Sequence, residues 1–78
     1  MEEQLSFGKQ LVGLTFNPSG DEKVNRAKEL CAELADLVMD SDETPGSNTY
    51  LKNLIKGSAL KEILNAQMVT VKFLTLKY

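Results

Sequence analysis

The stretch DEKVNRAKELCAELADLVM, residues 21–39, decides the fold class of this chain. Its apolar side chains recur at steps of three and four residues, which matches the 3.6-residue turn of an α-helix. An amphipathic helix is therefore predicted from Asp21 to about Met39. Its apolar stripe comprises Val24, Ala27, Leu30, Cys31, Leu34, Leu37 and Val38. Cys31, the only cysteine, is expected to be a small buried hydrophobe in a reducing compartment.

The residues before this helix combine a turn with a helix start. Asn17 and Pro18 are typical of a turn, and Ser19 with Glu22 three residues later fits a capping box. The N-terminus of a helix carries free N–H groups and partial positive charge, and Lys23 adds a full charge, so a small anion is favoured there. Ser19 could equally do no more than start the helix.

After the helix, residues 40–48 are rich in turn formers and predict a loop between two antiparallel helices. A second apolar pattern then runs through two stripes that are about half a turn out of phase. The helix either breaks at Gly57 and Ser58 or is continuous and buries both faces, which requires a partner. The stripes are Tyr50, Leu51, Leu54 and Ile55, and then Leu60, Ile63, Leu64, Met68, Val71 and Leu74.

Two segments have the β-branched and aromatic content of strands. They are residues 11–16 and 68–76, and on propensity alone they could pair as a small two-stranded sheet. Burial in a helical assembly can override such propensities. The prediction is an all-α fold in a single domain, residues 1–78, with an α+β fold as the alternative.

Size and charge favour self-association. A domain of 78 residues buries a modest fraction of its surface, so a homo-oligomer is expected. The net charge is −2, yet residues 1–43 carry ten acids and four bases, whereas residues 44–78 carry one acid and five bases. The acidic half of one copy should thus attract the basic half of another. Because the chain has no overall excess of Lys and Arg, binding along DNA is not expected. No apolar run is long enough for a membrane span, and no signal peptide is recognisable.

The side chains offer little for catalysis. The chain has no histidine and one cysteine, and its carboxylates lack the spacing of a metal site, so no enzyme activity, metal or cofactor is expected. What remains is a set of cations and aromatics around the predicted helix start: Phe7, Lys9, Lys23 and Arg26. Cations bind phosphates, and a flat ring stacks on a base, although a core role for Phe7 and a solvated role for Lys23 are the simpler interpretations.

The segments 11–24, 28–37 and 66–75 resemble the anti-CBASS cyclic-nucleotide sponge family of tailed phages. The resemblance covers most of the chain from about residue 7, and its most specific part is the FNPSG segment, residues 16–20. It implies a short N-terminal helix plus an antiparallel helical hairpin, assembled as a homohexamer. It also implies a sponge that binds cyclic dinucleotides at protomer interfaces and cyclic trinucleotides in separate pockets, uncleaved, in the host cytoplasm, and so blocks activation of bacterial CBASS effectors.

By the same resemblance, Phe7 is the residue that stacks on a base and Lys23 is the phosphate contact, with Arg26 or Lys28 as the next cations along the helix. The predicted ligand-binding set is Phe7, Lys9, Asn17, Ser19, Lys23 and Arg26. The alternative function is a small helical module that binds a host protein through an apolar helix face.

Overall fold

Three helices make up the fold in the computed structural model, which describes residues 6–13, 20–41 and 48–76. They are α1 (Phe7–Val12), α2 (Glu22–Asp40) and α3 (Thr49–Thr75). Both α1 and α3 pack against α2, and α1 barely touches α3. Within the described residues there is no strand, so the all-α prediction, with a short N-terminal helix and a helical hairpin, is confirmed.

The start of α2 differs from the prediction. Its N-cap is Asp21, whose carboxylate accepts hydrogen bonds from the N–H groups of Lys23 and Val24 at 2.7 and 3.4 Å. The capping box of Ser19 with Glu22 is therefore wrong. Aspartate and serine are equally good N-caps, and the residue nearer the first apolar turn is the one used here. Ser19 itself lies outside the described residues.

The third helix is continuous for 27 residues and does not break at Gly57 and Ser58. It begins with Asn48 as N-cap, whose side chain accepts from the N–H of Leu51 at 2.9 Å. Residues 68–75, which carried the strand alternative, form its last two turns, so the two-stranded sheet is wrong for this segment. The other proposed strand is helical at Leu11 and Val12, while residues 14–16 lie outside the described residues.

Among its buried residues, the packed face of α2 shares only Val24 with the predicted apolar stripe. The buried residues of α2 are Val24, Lys28, Ala32 and Ala35. Leu30, Leu34 and Leu37, here called the leucine stripe, are 51%, 49% and 64% exposed. At 100° per residue, the leucine stripe lies about 150° around the helix from the buried face. Small side chains allow α1 to approach α2 closely, and the large apolar ones stay uncovered. Cys31 lies between these faces and is half-buried rather than buried.

Helix α3 shows the same division along its length. One face, which includes Leu60, Ile63 and Gln67, is buried or half-buried. The opposite face, here called the outer face, carries an exposed apolar patch towards each end of the helix. The patches are Tyr50, Leu51, Leu54 and Ile55, and then Met68, Val69 and Phe73. The two sequence stripes that were half a turn out of phase thus occupy opposite faces of one helix, apart from Met68.

The protomer is thin. Its principal extents are 49 × 38 × 12 Å, and the shortest is about the diameter of one helix. The helices therefore form a single layer, and no second layer among the described residues covers the leucine stripe of α2 or the outer face of α3. No helix among the described residues has the length and apolar character needed to cross a membrane.

Candidate functional site

Asp36 of α2 holds the N-terminus of α1 through both of its carboxylate oxygens. Its Oδ2 accepts from the hydroxyl of Ser6 at 2.7 Å, and its Oδ1 accepts from the N–H of Gly8 at 2.6 Å. Ser6 is also the N-cap of α1 and accepts from the N–H of Lys9 at 3.2 Å. One carboxylate thus caps a helix 28 to 30 residues away in the sequence.

The pKa of the Asp36 carboxyl is lowered from its ordinary value. The hydrogen bond from the Ser6 hydroxyl is the largest cause, followed by the bond from the Gly8 N–H, and the charge of Lys9 acts in the same direction. Each of these groups favours the charged carboxylate. Asp36 is therefore an anion at neutral pH, facing the partial positive charge of the α1 N-terminus.

The other end of α1 is held by Lys28. Its side chain is buried, and its Nζ donates to the carbonyl oxygen of Gly13 at 3.1 Å. Gly13 ends α1 in the left-handed conformation, with φ 63°, which glycine adopts without strain. This contact takes Lys28 out of the set of cations that could meet a ligand, although it was one of the alternatives to Lys23.

Lys9 and Arg26 face a cleft of about 300 Å³ between α1 and α2. The Arg26 guanidinium lies 3.7 Å from the carboxylates of both Glu29 and Glu33, at the exposed surface. With Asp36, three carboxylates and two cations line this α1–α2 cleft. An anionic ligand would not be attracted by this cleft alone, because its acids outnumber its bases.

Lys23 stands apart from the α1–α2 cleft. It is exposed in the first turn of α2, and at 100° per residue it lies on the side of the leucine stripe. Its own N–H and that of Val24 are bonded to the Asp21 carboxylate. The N-terminus of α2 therefore does not offer these two donors to an anion. It offers the charge of the Lys23 side chain instead.

Phe7 lies on a different flank of α1 from Lys9. The packed face of α1 contains Gly8 and Val12, and Phe7 and Lys9 lie about 100° to either side of Gly8. The Phe7 ring is 42% exposed. The structure thus brings Lys9 and Arg26 together but leaves Phe7 and Lys23 on other surfaces of the protomer. Asn17 and Ser19 lie outside the described residues.

A larger concavity lies at the hairpin end, where α2 stops and α3 begins. This hairpin groove has a volume of about 490 Å³. Val38, Leu51 and Ile55 give it an apolar surface, and Lys52 and Lys56 also line it. Sequence reasoning did not select this place, because its residues come from two helices and form no local motif. Phe7, Lys9, Lys23 and Arg26, the predicted site residues that the structure describes, do not line it.

The contact of Asp36 with α1 is likewise not evident from the sequence, where Asp36 belongs to an acidic run near a helix end. The run of Asp36, Asp40, Asp42 and Glu43 is typical of a solvated surface. Asp40 is indeed exposed, whereas Asp36 is half-buried against α1. The only local signal for its burial was its position one helical turn after Ala32, at the edge of the face that contains Ala32 and Ala35.

Comparisons of the chain with protein-family models, with curated proteins and with solved structures find no match.

Proposed function

We propose that the protein is a non-catalytic sponge for cyclic dinucleotides and trinucleotides, active as a homo-oligomer, a hexamer by resemblance. By sequestering these second messengers in the host cytoplasm it would block activation of bacterial CBASS effectors. The proposal combines the resemblance of residues 11–24, 28–37 and 66–75 with the geometry of α1 and α2. It names no metal or cofactor, and it involves neither DNA nor a membrane.

One observation carries the proposal: Lys23 lies on the same side of α2 as the uncovered leucine stripe. Burial of that stripe by a second copy would bring a cation from each protomer to the edge of the contact. In an isologous contact every residue occurs twice, so one lysine supplies two charges about a two-fold axis. A cyclic dinucleotide with two like halves has matching symmetry and two phosphates to bind.

Phe7 supports the same arrangement. Its exposed ring is on a flank of α1 away from Lys9 and Arg26, so one protomer does not join the stacking group and the cations in a single pocket. Two copies can join them, because Phe7 of one protomer can meet a cation of another. Stacking on a base needs only an apolar face, which phenylalanine has, and it lacks the hydroxyl with which tyrosine would add a hydrogen bond.

The proposal assigns trinucleotides to a different part of the protomer, the hairpin groove. Lys52 and Lys56 supply charges there for phosphates, and Leu51 and Ile55 supply an apolar surface for a base. The groove adjoins Val38, twelve residues along α2 from Arg26, which corresponds to about 18 Å of helix. Dinucleotides and trinucleotides should therefore bind without competition.

Titration calorimetry with cyclic di-AMP, cyclic GMP–AMP and cyclic tri-AMP tests the proposal. Saturable binding is expected, with the ligand recovered intact by chromatography after proteolysis of the protein. The linear dinucleotide pApA is the matched control, because it has the same bases without the ring closure. Absence of heat and of a thermal shift with every cyclic oligonucleotide would refute the sponge.

The alternative function is a helical module that binds a host protein, with no nucleotide ligand. The exposed outer face of α3 favours it, because an apolar helix face can dock into a groove of a partner. The two functions differ in what covers the apolar faces. A stable homo-oligomer in which the leucine stripe is already buried favours the sponge, and a monomer that binds no cyclic nucleotide favours the module.

A further inference from the structure

We propose that Asp36 and Lys28 are positioning residues: they clamp the two ends of α1 onto α2 and thereby fix where Phe7 and Lys9 stand. The role in ligand binding rests on the proposed function, whereas the clamp itself is a property of the ligand-free protomer. Neither residue needs to touch the ligand.

The two ends of α1 meet opposite charges. Asp36 faces its N-terminus and accepts from Ser6 and Gly8, and Lys28 faces its C-terminal end and donates to Gly13. A helix has partial positive charge at its N-terminus and partial negative charge at its C-terminus, so each side chain has the favourable sign. Lys28 and Asp36 are eight positions apart, which is about 12 Å along α2 and enough for a helix of six residues to lie antiparallel between them.

The clamp is needed because α1 cannot hold itself. A helix of six residues is far below the length at which isolated helices are stable in water. Its buried residues are Val12 and Gly8, and because glycine has no side chain they supply little apolar area. Most of what fixes α1 is therefore polar: the carboxylate of Asp36, the ammonium of Lys28 and the close backbone approach at Gly8.

The experiment measures α1 and ligand binding separately. Amide hydrogen exchange of α1 in the ligand-free full chain reports the docked fraction of this helix. The variants are Asp36→Asn, which keeps the shape and loses the charge, and Lys28→Met, which keeps the apolar stem. Their matched controls are Asp40→Asn, one turn further along α2, and Lys61→Met, exposed on α3.

Asp36→Asn and Lys28→Met should each raise α1 exchange at least tenfold and leave the middle of α3 unchanged, and the controls should change neither. The apparent dissociation constant for cyclic di-AMP should then rise as the reciprocal of the docked fraction of α1, since only the docked form is competent. If Lys28→Met unfolds the chain, the comparison of Asp36→Asn with Asp40→Asn still tests the clamp.

Unchanged α1 exchange in Asp36→Asn would overturn the clamp, whatever the ligand result. A measured fall in the docked fraction of α1 with no matching rise in the dissociation constant would overturn the positioning role. If the wild-type protein binds no cyclic nucleotide, the positioning role fails together with the proposed function, while the exchange data still report the clamp on their own.

Discussion

The carboxylate of Asp36 makes α1 sensitive to acid. Its pKa is lowered in the folded protein by the Ser6 hydroxyl, the Gly8 N–H and Lys9. A group whose folded pKa lies below its unfolded value, about 3.9 for aspartate, stabilises the fold above that unfolded value. Its contribution is lost as the pH falls through the folded pKa. The docking of α1 should thus be constant from pH 7 to about pH 5 and weaken below about pH 4.

The Gly8 amide proton gives the direct measurement, because it donates to the carboxylate that titrates. Its NMR shift should follow the protonation of Asp36, with Gly57 on α3 as the reference glycine. Other charged groups of the α1–α2 cleft, namely Lys9, Arg26, Glu29 and Glu33, could affect the curve. The transition should therefore be compared with that of Asp36→Asn, and an identical transition in this variant would exclude Asp36 as its source.

Lys23 is the residue on which the proposed ligand contact depends most. Lys23→Ala should weaken the binding of cyclic di-AMP by more than about 1.5 kcal/mol, the scale of a hydrogen bond to a charged group. Calorimetry measures the change, and Lys61→Ala, which removes the same charge from an exposed position on α3, should bind as the wild type does. Equal affinity of both variants would move the phosphate contact away from Lys23.

At the scale of the helices, alanine substitution should have opposite effects on stability at two glycines. Gly8 of α1 lies so close to α2 that an added Cβ would overlap the backbone carbonyl oxygen of Ala32. Gly57 of α3 has open space around the position of an added Cβ. Gly8→Ala should displace α1, at a cost of about 1–3 kcal/mol, because a backbone atom cannot rotate away. Gly57→Ala should stabilise the protein by up to about 1 kcal/mol, because alanine is the better helix former.

Thermal unfolding and amide exchange measure this pair of variants together. Gly8→Ala should raise exchange in α1 more than in α3, and Gly57→Ala should raise the melting temperature. Wild-type protection of α1 in Gly8→Ala would mean that the close approach of α1 to α2 is absent in solution.

Helices α2 and α3 could be predicted from local sequence patterns, whereas α1 was implied only by the family resemblance. The periodicity around Leu30 and Leu34 and the turn formers of residues 40–48 each act within a few residues. Continuity through Gly57 was left open, because one glycine weakens a helix without breaking it.

The side of α2 that packs inside the protomer could not be predicted. Hydrophobic periodicity gives weight to large side chains such as Leu37, whereas close helix packing selects small ones, such as Ala35 and, opposite Gly8, Ala32. The pairing of Asp36 with Ser6 and Gly8 was hidden for a related reason. It joins positions about 30 residues apart, and no local pattern encodes such a contact. The sequence thus offers candidate residue types for a site, and the structure gives their arrangement.

At the scale of the whole molecule, the protomer is less compact than its length requires. Its radius of gyration is 14.7 Å, against about 11.5 Å expected for a compact domain of this length. The larger radius of gyration reflects the arrangement of the helices in a single layer, which exposes apolar residues on α2 and on α3. Apolar surface of this kind is favourable to bury, at about 25 cal/mol per Å². A second copy of the chain carries the same apolar surface and is always present, so we expect it to cover these residues.

Self-association is therefore the prediction at this scale. Light scattering at micromolar concentration should give a mass that is a multiple of the 8.6 kDa protomer. Leu54→Glu should lower that mass, because Leu54 lies in an exposed apolar patch of α3 and a carboxylate there cannot be buried without a partner. Thr70→Glu is the control: it adds the same charge to the same helix at another exposed position, about 160° around from Leu54, and should leave the mass unchanged.

A wild-type monomer would contradict the prediction and leave the outer face of α3 to a different protein. If Leu54→Glu also weakened cyclic di-AMP binding while Thr70→Glu did not, ligand binding and assembly would be coupled, as a site completed by a second copy requires.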